Sequence, residues 1–323
     1  MKHPRLFAAL AFTAVFFCWS VPAPAQLWTT KQPVRVIVPL SPGSAIDLVA
    51  RVVFEQVAKQ TQQTILIENR PGASQTIGAA AVAKSGGDSY TILVGGSALS
   101  VVQSTMPNLS FNAATELTAV TPLASLPLVM VVSPAKGYRT LGDFIEQARS
   151  RTVSVTYGSA GRGDSTHLAA ERLRLAAKFP GLYVPFKGAP EVLTEIMAGR
   201  LDFYLSPAAA ALPSIAGGQL QALAVASAKR ADALPAVPTT TEAGLANSNY
   251  EFWVGAFVSA ATPAALVEAL HKEIARALDT PAVQERLKTM GGEILHKTPH
   301  EFAEQFRGEI RMNAELVKDA GLN

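Results

Sequence analysis

Residues 34–47 read VRVIVPLSPGSAID, a short apolar run that breaks at a glycine turn and continues into a helix start. Residues 153–168, VSVTYGSAGRGDSTHL, repeat this order of strand, glycine-rich turn and helix later in the chain. The first backbone N–H groups of a helix have no partner within the helix and lie at the positive end of its dipole, so each turn is suited to hold an anion. The pair predicts one ligand site between two parts of the chain.

Short apolar runs elsewhere in the sequence indicate the fold class. They are too apolar for sheets with one solvated face, and they alternate with helical segments. The runs lie at residues 34–38, 64–67, 90–94, 128–132, 153–156, 201–205 and 223–226. This order predicts an α/β fold with mostly parallel sheets flanked by helices.

Two apolar segments, near residues 126–131 and 250–257, lie where the chain is expected to cross between domains. Two crossings imply a discontinuous domain. We therefore expect lobe 1 to contain residues 26–126 plus 250–323 and lobe 2 to contain residues 127–249. The ligand cleft would lie between the lobes, with the crossing strands as a hinge.

Helix caps can also be read from the sequence. Thr140 and Asp143 have the spacing of a capping box, which predicts a helix that runs to about residue 149. Thr-Pro pairs at residues 262–263, 280–281 and 298–299 each place a cap residue before a proline that suits the first helical position. The C-terminal part of the chain is therefore predicted to be helical.

The N-terminus has the pattern of a secretory leader. Lys2 and Arg5 precede an apolar run at residues 6–19, and Ala23 and Ala25 have the spacing that signal peptidase requires. We predict that residues 1–25 are a signal peptide and that the protein is exported. Cys18, the single cysteine, would leave with this leader, so the mature protein would have no disulfide.

Charge argues against nucleic acid as a partner. The chain has 28 basic and 25 acidic residues, and removal of the leader leaves 26 against 25. No cluster of Lys and Arg remains in the mature sequence. We expect a soluble monomer, because no later stretch has the length and apolarity of a membrane span.

Catalytic and cofactor motifs are weak in this sequence. The second turn lacks both the Walker pattern and the dinucleotide fingerprint. Ser159, His167 and either Asp164 or Asp202 supply the residue types of a hydrolase triad, but the G-x-S-x-G elbow is missing. The histidines are scattered without metal-ligand spacing. We therefore predict no catalytic residues, no metal site and no cofactor.

The sequence resembles the tripartite tricarboxylate transporter substrate-binding receptors, also called the Bug family. The resemblance covers essentially the whole mature chain in order. It is carried by residues 31–51, 68–85, 157–171, 184–205, 227–245 and 317–323. It implies a two-lobe periplasmic binding protein fold of type II, a periplasmic location and no enzymatic activity. It also implies a small organic acid ligand, such as a carboxylate, an amino acid or a related amide, and permease subunits in the inner membrane as partners.

The resemblance also assigns candidate ligand-binding residues. The first turn and the second turn would hold one carboxylate, with further contacts at the far end of the ligand. The first-turn residues are Leu40, Ser41, Gly43, Ser44 and Asp47. The second-turn residues are Ser159, Gly163, Asp164, Ser165 and His167, and the further contacts are Ser97, Lys187, Gly188 and Ala189.

Two residues depart from the family pattern. Ser44 stands where the family usually has a second glycine, and Asp164 stands where it usually has Ser or Thr. An acidic N-cap uses the N–H groups that a ligand carboxylate would need. We expect Asp164 either to turn away as a cap or to select a ligand with an amino, hydroxyl or uncharged amide group.

Two alternatives to a transport receptor remain at this stage. An orphan or sensory receptor would share every residue discussed here but would signal to a membrane partner instead of a permease. An exported serine hydrolase would instead depend on Ser159. The transport receptor accounts for both turns and for the resemblance.

Overall fold

The computed structural model describes residues 32–88, 90–106 and 108–319, and it shows a mixed α/β fold. The predicted signal peptide, residues 1–25, lies outside the described residues. The described strands are β1 (Val34–Val38), β2 (Ile65–Asn69), β3 (Thr91–Gly96), β4 (Leu117–Leu126), β5 (Leu128–Val132), β6 (Val155–Ser159), β7 (Gly181–Pro185), β8 (Tyr204–Pro207), β9 (Gln221–Val225), β10 (Phe252–Ser259) and β11 (Glu293–Ile294).

Helices connect and flank these strands. The described α-helices are α1 (Ala45–Thr61), α2 (Thr76–Ala83), α3 (Val102–Thr105), α4 (Ala113–Glu116), α5 (Leu141–Ser150), α6 (Ser165–Ala177), α7 (Ala189–Met197), α8 (Ala208–Ala216), α9 (Ala264–Leu278), α10 (Pro281–Thr289) and α11 (Pro299–Asp319). Short 3₁₀ turns lie at Ala73–Gln75, Ser97–Ser100 and Pro134–Lys136. The predicted strands and the helix starts after both glycine turns are therefore present.

The largest sheet in the described residues has six strands in the order β11-β4-β10-β3-β1-β2. Strand β1 pairs in parallel with both β2 and β3. Helix α1 connects β1 to β2, and it buries Val49, Val53 and Val57 at the spacing of one helical face. This packing fixes the direction in which the first turn leaves the sheet.

Two smaller sheets lie between residues 128 and 225 of the described chain. One has the order β8-β5-β9, and the other pairs β6 with β7. We call residues 127–249 the second region, and residues 32–126 together with 250–319 the first region. The strands of the six-stranded sheet lie in the first region, and the strands of the two smaller sheets lie in the second region. Movement of the regions as two lobes stays a prediction.

The expectation of mostly parallel sheets is wrong, because the sheets are mixed. Strand β10 pairs antiparallel with β3 and β4, and β5 pairs antiparallel with β8 and β9. The reason is topological. The chain leaves the first region after β4 and returns on β10, so these two neighbouring strands run in opposite directions.

The predicted helix caps are largely confirmed. Thr140 and Asp143 form a reciprocal capping box at the start of α5. Thr280 occupies the N-cap position of α10, and the Thr298 hydroxyl accepts a hydrogen bond from the Glu301 N–H in α11. Helix α9 begins one residue later than expected, with Pro263 instead of Thr262 at its N-cap.

Asp202 joins several elements of the second region. Its carboxylate accepts hydrogen bonds from Lys136, Arg151 and both the N–H and the hydroxyl of Thr156. Burial acts to raise the pKa of Asp202, but these bonds hold it at about 2. The carboxylate therefore connects the start of β6 to the end of the 3₁₀ turn at Pro134–Lys136 and to the end of α5.

We predict that Asp202→Asn lowers the free energy of unfolding by roughly 2 kcal/mol at pH 7. The folded-state pKa lies below the unfolded value, so this stability is present above about pH 4 and is lost as the pH falls toward 2. Urea unfolding should show the difference between wild type and variant shrink by roughly half at pH 3. Glu195→Gln, which breaks an exposed ion pair with Arg200, serves as the control and should change stability much less. A cost for Asp202→Asn that is the same at pH 7 and pH 3 would contradict this role.

Candidate functional site

The two glycine turns face one shared cavity. We call residues 39–44 the first turn and residues 160–164 the second turn. Leu40 and Ser44 line the cavity from the first turn, and Ala160 and Asp164 line it from the second. The remaining lining residues are Ala45, Ile46, Thr166, Ala189, Tyr204, Pro207 and Phe252.

The cavity has a volume of about 10 Å³. That volume holds about one water molecule, which is far less than a small organic acid requires. The two turns therefore lie close together in this structure, an arrangement that we call closed. Their separation to admit a ligand stays a prediction.

The first turn presents a helix N-terminus to the cavity. Ser44 is the N-cap of α1, and its hydroxyl accepts a hydrogen bond from the Asp47 N–H. Ala45 and Ile46, the first two residues of the helix, both line the cavity. Their N–H groups are among those that have no acceptor within a helix, so this wall of the cavity suits an anion.

Gly43 and Asp47 stabilise the first turn instead of lining the cavity. The Gly43 N–H donates to Asp47 Oδ2 at 2.9 Å, and φ of Gly43 is +79°. Asp47 also accepts hydrogen bonds from Arg51 and Asn69. Burial acts to raise the pKa of Asp47, but these bonds lower it overall. The Gly43 N–H, which was expected to approach a ligand, is therefore engaged within the turn.

Side chains next to the second turn bind three of its backbone N–H groups. The Gly161 N–H donates to the Ser159 hydroxyl, and the Ala160 N–H donates to the Thr166 hydroxyl. The Gly163 N–H donates to His167 Nδ1 at 3.0 Å. The expectation that both turns offer backbone donors to an anion is therefore wrong for these N–H groups.

Asp164 occupies the anion position at the N-terminus of α6. Its Oδ1 accepts hydrogen bonds from the Thr166 N–H at 2.8 Å and from the Thr166 hydroxyl at 2.6 Å. The residue is 1% exposed, and burial raises the pKa of Asp164 while hydrogen bonds from Thr166, Gln75 and Ser165 oppose the rise. Asp164 caps the helix and also lines the cavity, so it does not turn away as a cap, and its selection of a ligand stays a prediction.

His167 is a packed, neutral side chain. Its ring stacks on Tyr183 with centroids 3.9 Å apart. Burial, together with the nearby Arg162 and Arg174, lowers its pKa to about 4. His167 therefore carries no charge at neutral pH, and its Nδ1 atom holds the second turn in place.

Polar contacts join the two regions around the cavity. The hydroxyls of Ser97 and Ser165 are 2.8 Å apart, and the Ser41 hydroxyl donates to Glu191 Oε1 at 2.6 Å. The Ser74 hydroxyl donates to the backbone oxygen of Arg162. These bonds are made only while the regions are close together.

The remaining predicted site residues occupy different positions. Ala189 lines the cavity, and Gly188 packs against the Ser41 side chain. Ser159 is buried and bonds to Tyr183 and to the Gly161 oxygen. Lys187 is exposed and is not among the lining residues of the cavity.

Sequence reasoning missed several residues at the cavity. Thr166, Tyr204 and Phe252 line it, and Gln75 and Glu191 lie beside it. Tyr204 is the first residue of β8 and lies within the strand predicted at residues 201–205. Its place near the carboxyl end of that strand could have indicated it. Gln75 is different, because its left-handed backbone, with φ of +77°, has no signature in the residue type.

The hydrolase alternative gains no support from these contacts. Ser159 is bonded to Gly161 and Tyr183, while His167 Nδ1 accepts from the backbone of Gly163. Asp202 is bonded to Lys136, Arg151 and Thr156. Among the described residues, no group of three or more His, Cys, Asp or Glu side chains is placed to hold a metal ion. Nor does any described helix have the length and apolarity to cross a membrane.

Comparison with known proteins places the chain among receptors. The sequence profile of the tripartite tricarboxylate transporter family receptor, TctC, matches residues 49–322. The periplasmic binding protein BugD has a similar structure, with a TM-score of 0.88 and 26% identity over 91% of this chain and 99% of that chain. MatC from Rhodopseudomonas palustris, solved with bound malate, has a TM-score of 0.83 and 28% identity over 89% of this chain and 100% of that chain. A second R. palustris protein, solved with adipate, has a TM-score of 0.87 and 27% identity over 90% of this chain and 98% of that chain.

The fold and the cavity between the two turns define a periplasmic solute-binding protein. Within that class, the chain belongs to the tripartite tricarboxylate transporter receptor family, whose members are solute receptors of the periplasm. The predicted α/β class of fold, the family and the receptor function are thereby confirmed, apart from the direction of the strands described above.

Gly163 provides a test of the closed arrangement. Its φ is +72°, and an added Cβ would lie 2.4 Å from the Thr105 hydroxyl of the first region. We predict that Gly163→Ala pushes the regions apart and increases the radius of gyration in small-angle X-ray scattering. Thr105→Ala removes part of the obstacle and should reverse part of this increase.

Gly43→Ala is the matched control for this experiment. It imposes a similar backbone strain at φ of +79°, but its Cβ would meet only Pro190 Cγ at 3.6 Å. Both variants should lose about 1 kcal/mol of stability. Equal radii of gyration for the two variants would show that Gly163 does not contact the first region in solution.

Proposed function

We propose that this protein captures a small organic acid between two closing lobes and delivers it to the permease of a tripartite transporter. The observation that carries the proposal is the cavity shared by the N-terminus of α1 and the second turn. A ligand carboxylate would accept hydrogen bonds from the Ala45 and Ile46 N–H groups. Such bonds to a charged group contribute roughly 1.5–3 kcal/mol each, which is enough to favour the liganded, closed form.

Support for an organic acid comes from two relatives. MatC was solved with malate and the second R. palustris protein with adipate, and both are carboxylates. Both proteins align with about nine-tenths of this chain. We infer that the ligand of this chain also carries a carboxylate, and that the protein has no catalytic role.

We further propose that residues 1–25 direct export and are removed, so that the mature receptor is a periplasmic monomer. Residues 26–126 plus 250–323 would form lobe 1, and residues 127–249 would form lobe 2. The crossing strands β4 and β10 pair with each other along their length. That pairing would give a hinge about which the two lobes separate.

Ala45→Pro tests the role of the α1 N-terminus. Proline suits the first position of a helix, so the fold should survive while one N–H donor disappears. We expect ligand affinity to fall roughly 10- to 100-fold, measured by calorimetry with the acid that the wild type binds. Ala45→Val, which adds bulk but keeps the N–H group, is the matched control.

The outcome depends on comparing these two variants. Ala45→Pro should bind much more weakly than Ala45→Val, while both unfold within about 1 kcal/mol of the wild type. Equal affinities in the two variants would mean that the ligand does not use this N–H group. Failure of the wild-type protein to bind or retain any organic acid would contradict the proposed function itself.

A further inference from the structure

We propose that the solute also carries a protonated amino group that binds Asp164, so that Asp164 selects amino acids over plain dicarboxylates. This inference rests on the proposed function, because it assigns the second end of the same ligand. The first end would be a carboxylate at α1. The ligand would therefore be a zwitterion that spans the cavity between the two regions.

Asp164 is a buried acid, and the groups that hydrogen-bond to it are uncharged. Hydroxyl, amide and aromatic groups lie around it, from Thr166, Gln75, Ser165, Tyr183, Tyr204 and Tyr250, and the charge of Arg162 in the same turn acts together with that of Asp164 on Tyr183. In the described part of the chain, no ion pair includes Asp164. A buried carboxylate is normally paired with a cation, so a group that enters the cavity is the natural source of that cation.

Tyr204 is an independent indication that the cavity receives a polar ligand. The residue is 0% exposed and lines the cavity. Within the described residues its hydroxyl has no hydrogen-bond partner, although the hydroxyls of Thr166 and Ser206 lie nearby. Buried polar groups in folded proteins are nearly always paired, so the Tyr204 hydroxyl is placed to bind a ligand atom.

Gln75 shows the same feature beside Asp164. Its Oε1 accepts a hydrogen bond from the Gly96 N–H at 3.0 Å. Its Nε2 is buried and lies close enough to Asp164 to oppose the rise in the pKa of that acid, but it makes no hydrogen bond of good geometry within the described residues. A ligand carboxylate beside Asp164 would be repelled by the acid, so the carboxylate of a zwitterion belongs at the α1 wall and its ammonium group at Asp164.

Glu191 brings a second carboxyl group close to the cavity without lining it. Its Oε1 accepts from Ser41, while Oε2 is buried and has no partner among the described residues. Burial, together with the charges of Asp164 and Glu191, raises the pKa of Tyr204, so both carboxylates lie near that ring. The second region therefore places one carboxyl group in the cavity wall and another beside it, opposite the N–H donors of α1.

A plain dicarboxylate would fit this arrangement only if Asp164 were protonated. Burial does raise the pKa of Asp164. The hydrogen bonds from Thr166 and the N-terminus of α6 favour the ionised form and oppose this rise, but they do not cancel it. An ammonium group would also favour the ionised form, which is the reason for choosing it over a second carboxylate.

The test compares acids that differ in a single substituent. Calorimetry would measure aspartate, malate and succinate, together with alanine, lactate and propionate, and glutamate, 2-hydroxyglutarate and glutarate. Within the carbon frame that binds, the wild type should favour the amino compound over the hydroxyl and unsubstituted compounds by about tenfold or more. Asp164→Ser and Asp164→Asn should abolish that preference, and both residues are good N-caps that preserve the helix start.

Asp88→Asn is the matched control, because Asp88 also bonds to backbone N–H groups but lies outside the cavity. It should leave the preference unchanged. Wild-type protein that binds succinate or malate as tightly as aspartate, or an unchanged preference in both Asp164 variants, would overturn the inference while the proposed function stands.

If none of the nine acids binds, mass spectrometry of the solute that copurifies decides. An acid with a protonatable amine supports the inference, an acid without one overturns it, and the absence of any bound acid contradicts the proposed function.

Discussion

A buried carboxylate at the N-terminus of α6 determines how the two halves of the cavity differ. Asp164 accepts the hydrogen bonds that a bound anion would otherwise accept, and it does so inside a cavity that faces a second helix N-terminus. Two helix starts of the same construction would attract two anions. Because the Asp164 carboxyl group already occupies the position of an anion at α6, the α1 side is the one suited to a ligand carboxylate, and the two ends of the site differ in chemistry.

The topology explains why such distant segments share a cavity. The chain leaves the first region after β4 and returns on β10, and these strands pair antiparallel. The first turn follows β1 and the second turn follows β6, so the turns come from different sheets and meet only when the regions approach. Direct bonds join the regions in this structure, including those between Ser97 and Ser165 and between Ser41 and Glu191. In the proposed receptor, ligand contacts worth a few kcal/mol would shift the population of closed molecules.

Local patterns in the sequence predicted much of the fold and only part of the site. The apolar runs predicted β1 and β5, and the Thr140 capping box was correct, because these features depend on neighbouring residues. The sheets were expected to be mostly parallel, and the antiparallel pairing of β10 depends on a return crossing that no local pattern records. At the site, the sequence pattern identified both turns, and the family resemblance assigned Asp164. Neither revealed that His167 and Thr166 bind N–H groups of the second turn, or that Tyr204 lines the cavity with Glu191 beside it. Those facts depend on tertiary packing.

A crystal structure of the mature protein with its bound solute is the most direct test of this asymmetric site. We predict that the solute carboxylate accepts hydrogen bonds from the Ala45 and Ile46 N–H groups, with Asp164 still capping α6 and within hydrogen-bond distance of a donor group of the solute. A solute carboxylate bound at the N-terminus of α6, with the Asp164 side chain turned out of the cavity, would contradict it.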